Sequence, residues 1–152
     1  MASIEYSPTA IKTERRTELA LLALRITTGL FLMPHGAQKL FGAFGGDGIQ
    51  GTAAFLAESG YVAPTFFAVA IGTLEFFGGL ALAAGFLTRF VSLCVVAFML
   101  GALQFHFPNG YFWFNGGFEY PIFWAVAAGV FLVIGGGQFS VDAHLPRFLG
   151  SK

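Results

Sequence analysis

Four apolar runs, each near the length of a bilayer-crossing helix, divide the chain: residues 19–40, 64–86, 89–107 and 120–135. A hydrocarbon core about 30 Å thick is crossed by about 20 helical residues. The first run, continued to residue 44, reads LALLALRITTGLFLMPHGAQKLFGAF and is the least uniform. At ~100° per residue, Arg25, Thr28, Leu32, His35 and Lys39 fall on one helical face. A charged side chain in lipid costs at least ~2.5–3.5 kcal/mol, so this stripe must turn towards other protein. Pro34 lies inside the run. Its ring clashes with the carbonyl of Leu30 and it donates no hydrogen bond, which predicts a kink just before His35.

Glu75 lies near the middle of the second run, with Ala68, Gly78 and Gly79 close to it on the helix surface. Small residues let helices approach closely, so Glu75 is expected to point into a bundle. Leu87-Thr88-Arg89 is a tight connection, with Thr88 as candidate N-cap of the third run. That run ends in Gln104 and His106, then the turn signal Pro108-Asn109-Gly110. Glu119-Tyr120-Pro121 opens the fourth run, and Gly135-Gly136-Gly137 stops it. Between the first two runs, the glycine-rich residues 42–48 lack the GK[ST] of a phosphate loop and follow no strand. Residues 52–59 read as a short amphipathic piece lying in the membrane interface. Residues 1–18 and 138–152 are polar tails, with Ser140 and Asp142 as candidate caps of a last short helix.

Composition turns this pattern into a class. The chain has 152 residues, 56% hydrophobic and 11% charged, with mean hydropathy +0.73. Soluble domains carry about 25% charged residues. The expected fold is therefore an all-α membrane protein, a four-transmembrane-helix bundle over residues 19–137 in contact with the lipid bilayer. Charges balance at 8 against 8, which argues against nucleic acid as a partner. Cys94 is the single cysteine, so neither an intrachain disulfide nor a CxxC pair can form. With four spans, both termini share a side with the turn at 87–89, where Lys12, Arg15, Arg16, Arg89, Arg147 and Lys152 gather. The positive-inside rule makes that side cytoplasmic. A faint repeat also appears. His35 and His106 are each followed by Phe at +6 (Phe41, Phe112) and Gly-Gly at +10 and +11 (Gly45-Gly46, Gly116-Gly117). This suggests two duplicated helical hairpins, with both histidines at similar depth.

The chain resembles the DoxX family. The residues that carry the likeness are Leu24-Arg25 with Gly29, His35-Gly36, Lys39-Leu40-Phe41-Gly42, Gly51-Thr52 with Phe55, Glu75-Phe76-Phe77-Gly78-Gly79 and Gly85-Phe86-Leu87-Thr88-Arg89. His106, Asn109-Gly110, Glu119-Tyr120-Pro121 and Ser140-x-Asp142 complete the set. The resemblance implies a small four-helix protein of the bacterial inner membrane, related to the DoxD-type subunit of thiosulfate:quinone oxidoreductase. It also implies a link to quinone-coupled redox and to sulfur or thiol stress, mostly within complexes with redox partner proteins. It assigns no catalytic residues.

The polar residues of the spans allow several readings. Arg25 lies ~10 Å and Glu75 ~18 Å from the cytoplasmic end of their spans, and a buried ion pair between them is the economical expectation. Alternatively Glu75 accepts protons, orients a quinone or stays neutral. His35 and His106 either hydrogen-bond a loop carbonyl or a neighbouring helix, or meet a ligand such as a quinone. Haem ligation by the two histidines has no further signature behind it, and no metal site is expected. Lys39, Asn109 and Glu119 complete a candidate ligand mouth with these histidines, Lys39 and Glu119 balancing each other and Phe112, Trp113 and Phe114 roofing it. Glu119 has a simpler role as an acidic first-turn residue. The expected function is the membrane component of a quinone-linked redox system. The rivals are a non-enzymatic anchor or assembly subunit, a homo-oligomer among the forms open to it, and a small-molecule transporter. No cofactor motif is present in the sequence, which argues against an independent redox enzyme.

Overall fold

A computed structural model describes residues 8–145, and every regular element among them is helical. Helix α1 spans Pro8–Phe41 and α2 spans Gly48–Glu58. Helix α3, Pro64–Thr73, runs through a π-helical turn at Leu74–Gly78 into α4, Gly79–Ala84. Helices α5, Thr88–His106, and α6, Glu119–Ile134, follow, and α7, Val141–His144, is a single turn. Helix α1 packs along α3–α4, α5 packs along α6, and α4 and the π turn touch α5.

Three helical stretches, Lys12–Phe41, Pro64–Ala84 and Thr88–Asn109, are long and apolar enough to cross a membrane, and Glu119–Ile134 is a shorter apolar helix. Only 28%, 28% and 22% of the apolar windows of the three long stretches is buried inside the protein. The rest, with the outer face of Glu119–Ile134, forms an outward belt that includes Phe31, Phe66, Phe90, Phe123 and Val133. Such a surface suits lipid rather than water. This is a multi-pass membrane protein.

The core holds Leu32, Leu82, Val91, Val95, Met99, Ala128 and Phe131. Glycines set the closest helix approach: a Cβ on Gly79 would fall 2.7 Å from the Gly29 carbonyl oxygen, and one on Gly36 2.7 Å from that of Gly72. Neither glycine leaves room for a side chain, so the backbones of α1 and the second apolar stretch lie in direct contact.

Several expectations are corrected here. Helix α1 begins at Pro8, so residues 8–18 are helix that runs on into the first span, and Pro34 lies inside the same helix. Thr88 is the first residue of α5, not its N-cap; Leu87 takes that position with φ 49°. The cap comes from afar, as the Asp142 carboxylate accepts from the Leu87 and Thr88 amides (both 2.8 Å) and the Thr88 hydroxyl (2.6 Å). Ser140 does cap α7, accepting from the Ala143 amide at 3.2 Å. The segment after α6 is thus docked on the bundle, with the Gln138 amide donating to Glu18 at 2.7 Å. Arg147 and Lys152, counted in the charge asymmetry, lie outside the described residues.

Candidate functional site

At the end of the bundle away from the Leu87 turn, a cavity of about 580 Å³ opens between α1, α3 and α5. Helix α2 forms one wall of it, with Ala53 and Leu56 packed on Ala68 of α3 and with Thr52, Phe55 and Leu56 facing inward. The expected interfacial helix therefore also builds the site. Phe67, Phe98, Phe105, Tyr61 and Trp124 supply aromatic lining, while His35, Lys39, Glu75, His106, Asn109 and Tyr120 supply polar lining.

Glu75 sits in the π-helical turn and is buried. Its carboxylate meets the Lys39 ammonium at 2.7 Å, with side-chain exposures of 5% and 28%. The contact is an ion pair by distance rather than an aligned hydrogen bond, since the same carboxylate oxygen has no well-directed donor. The Lys39 ammonium also donates to the His35 carbonyl at 3.3 Å, one helical turn back. The π-helical turn is a recurrent device at functional positions and has no sequence signature that periodicity detects.

Arg25 and Glu75 do not pair. Arg25 is 1% exposed and donates to three carbonyls: Ala83 at 3.3 Å, Phe139 at 2.8 Å, and Gly136. The reason is axial register. Arg25 lies level with Ala83, eight residues beyond Glu75 in the sequence, or roughly 12 Å along a helix. The docked segment after α6, unforeseen as a partner, brings its carbonyls to the arginine first.

His106 and Asn109 hold the 107–118 loop. His106 Nδ1 lies 2.6 Å from the Gly116 carbonyl oxygen and Nε2 lies 2.7 Å from the Tyr120 hydroxyl. The Asn109 amide donates to the same Gly116 carbonyl at 3.3 Å. With both ring nitrogens engaged, His106 has none free for a haem iron. His35 also lines the cavity, and its ring is presented on an exposed residue. Glu119 falls outside the lining: its carboxylate accepts from the Trp113 amide at 2.7 Å, so Lys39 is balanced by Glu75 and not by Glu119. Phe112, Trp113 and Phe114 are 54–67% exposed and do not roof the cavity. Tyr120, absent from the expected site, belongs to it; its proximity in sequence to Pro121 carried no sign of that.

The DoxX family profile matches residues 20–109, which contain α1 from its fourth turn on and all of α2 to α5. The chain belongs to the DoxX family. A relative in Bacillus subtilis (strain 168), described as "Putative oxidoreductase CatD", is 28% identical over 122 residues, covering 80% of this chain and 83% of its own. No solved structure matches the chain. The matched region contains both members of the Lys39–Glu75 pair and both cavity histidines, while Tyr120 and Asp142 fall beyond it.

Proposed function

We propose that this DoxX-family protein is the membrane component of a quinone-linked redox system in a bacterial inner membrane, and that its cavity holds the quinone ring. The observation that carries the reading is the cavity: about 580 Å³, aromatic on most sides, with His35, Lys39, Glu75 and Tyr120 on its polar wall. Ligand sites are mostly apolar with a few placed polar groups, and 300–1,000 Å³ is their usual size. Because Glu75 neutralises Lys39 inside the cavity, the polar wall can meet a neutral head group without a net-charge mismatch. The description of the Bacillus subtilis relative as an oxidoreductase supports the same class.

The proposed topology has four spans with both termini in the cytoplasm. Lys12, Arg15, Arg16 and Arg89 then lie on the cytoplasmic side, and the cavity lies towards the periplasmic face. The test is titration of a short-chain quinone analogue into the protein in nanodiscs, beside His35→Ala and Lys39→Met. Both variants should bind at least about tenfold more weakly while the thermal unfolding of His35→Ala stays that of the wild type. Equal binding by all three proteins would remove the cavity from the function.

A further inference from the structure

The polar wall of the cavity is not symmetric in donors and acceptors. His106 Nδ1 lies 2.6 Å from the carbonyl oxygen of Gly116. A carbonyl can only accept, so Nδ1 carries the hydrogen. In the neutral imidazole Nε2 is then an acceptor, and the Tyr120 hydroxyl at 2.7 Å must donate to it. The single hydrogen of the phenol is committed to His106. What Tyr120 offers the cavity it lines is therefore a pair of oxygen lone pairs. The arrangement is braced, because Asn109 holds the same Gly116 carbonyl and the Tyr120 ring packs edge-on against the imidazole at 4.7 Å.

An acceptor at this position matches a ligand hydroxyl and not a ligand carbonyl. We infer that Tyr120 and His106 form a proton-accepting relay that selects the reduced, quinol form of the ring. The inference rests on the quinone reading of the cavity. In the step, the quinol O–H bond breaks and its proton passes to the Tyr120 oxygen as the phenol's own proton passes to His106 Nε2. The new Nε2–H bond makes an imidazolium, whose Nδ1–H stays on Gly116, and the ligand oxygen keeps the electron pair as an anion. No electron leaves the ligand in this step, so no oxidant enters its balance. Run backwards, the same relay delivers a proton to the ring oxygen.

The other titratable groups on this cavity are His35 and Lys39 on α1, Glu75 on the π turn, and Tyr61, whose hydroxyl accepts from Gln104 at 2.9 Å. Glu119, next to Tyr120 on α6, is held by the Trp113 amide. Lys39 and Glu75 are paired with each other.

The test uses decylbenzoquinone and its dithionite-reduced quinol, titrated anaerobically into the full chain in nanodiscs. At about pH 8 the wild type should bind the quinol about tenfold more tightly than the quinone, the size of one buried hydrogen bond. Tyr120→Phe should bring the two affinities within about twofold of each other by weakening the quinol alone. Equal binding of both forms by the wild type, or a preference that survives Tyr120→Phe, would overturn the relay and leave the quinone site standing. If neither form binds the wild type, the quinone reading fails and the relay fails with it.

Discussion

Replacing Lys39 and Glu75 one at a time should have unequal effects, and the inequality can be worked from burial. Lys39→Met leaves a 5%-exposed carboxylate without its cation at 2.7 Å. Breaking a buried pair in this way costs ~3–5 kcal/mol, because the remaining charge has neither partner nor water. Glu75→Gln leaves instead an ammonium that is 28% exposed and faces an open cavity. A flexible lysine can reach water from there, so its loss is smaller, about 1–2 kcal/mol. The double variant removes both charges and should lose only about as much as Glu75→Gln, which makes the coupling equal to the Lys39→Met loss, ~3–5 kcal/mol. Reversible unfolding in mixed micelles, read by circular dichroism, measures each corner of the cycle. Arg25→Gln with Glu75→Gln is the control and should be additive, because Arg25 is spent on carbonyls of Ala83, Gly136 and Phe139. Additivity within about 0.5 kcal/mol for the Lys39–Glu75 cycle, or strong coupling in the Arg25–Glu75 cycle, would refute the register.

Three further outcomes follow from the fold. Asp142→Ala removes the acceptor of two amides and a hydroxyl at the start of α5 and should destabilise by about 2 kcal/mol in the same unfolding assay, with Thr88→Val showing a smaller loss. Gly79→Leu should abolish the folded state in detergent, read as lost helical cooperativity, because a Cβ there already falls 2.7 Å from the Gly29 carbonyl oxygen, whereas Gly101→Leu, with open space around it, should fold. Reporter fusions at Gly46 and Asn115 should report one side of the membrane and a fusion before Arg15 the other; agreement of all three sides would refute the four-span topology.

What was legible in the sequence follows from what periodicity encodes. The apolar runs, the buried face of Arg25, Thr28 and Leu32, and the inward position of Glu75 all follow from the cost of placing polar groups against lipid. Partner identity does not follow, because it depends on axial register between helices distant in sequence. Depth along the spans points Arg25 to Glu75 as the nearest opposite charge, whereas three backbone carbonyls at its own level satisfy it. Those carbonyls are invisible to any reading of side chains. The same blindness hid Asp142, which caps a helix 54 residues away from it, and Tyr120, whose role depends on where a loop returns. Charge and a shared membrane face point Glu119 to Lys39, but a backbone amide of its own loop takes it instead.

The two halves of the molecule explain why a cavity forms where it does. Each half is a helix, a histidine near its end, a glycine-bearing loop and a partner helix: α1 with α3–α4, then α5 with α6. In the second half the loop folds straight back, so that Gly116 meets His106 and the imidazole is consumed as a strut. In the first half the corresponding glycines, Gly45 and Gly46, lead into α2 and not into the next long helix. The loop contact there falls to Gln38, whose amide donates to the Phe44 carbonyl at 3.4 Å. His35 is thereby left free to face the space that α2 encloses. Helix α2 thus both builds a wall and leaves that side chain unengaged. A symmetric pair of hairpins would bind both histidines into loops, and the polar wall would then offer a ligand no unengaged imidazole. The asymmetry between the halves is what makes this end of the bundle a site and the Arg25 end, where the carbonyl acceptors and Asp142 are all engaged, a brace.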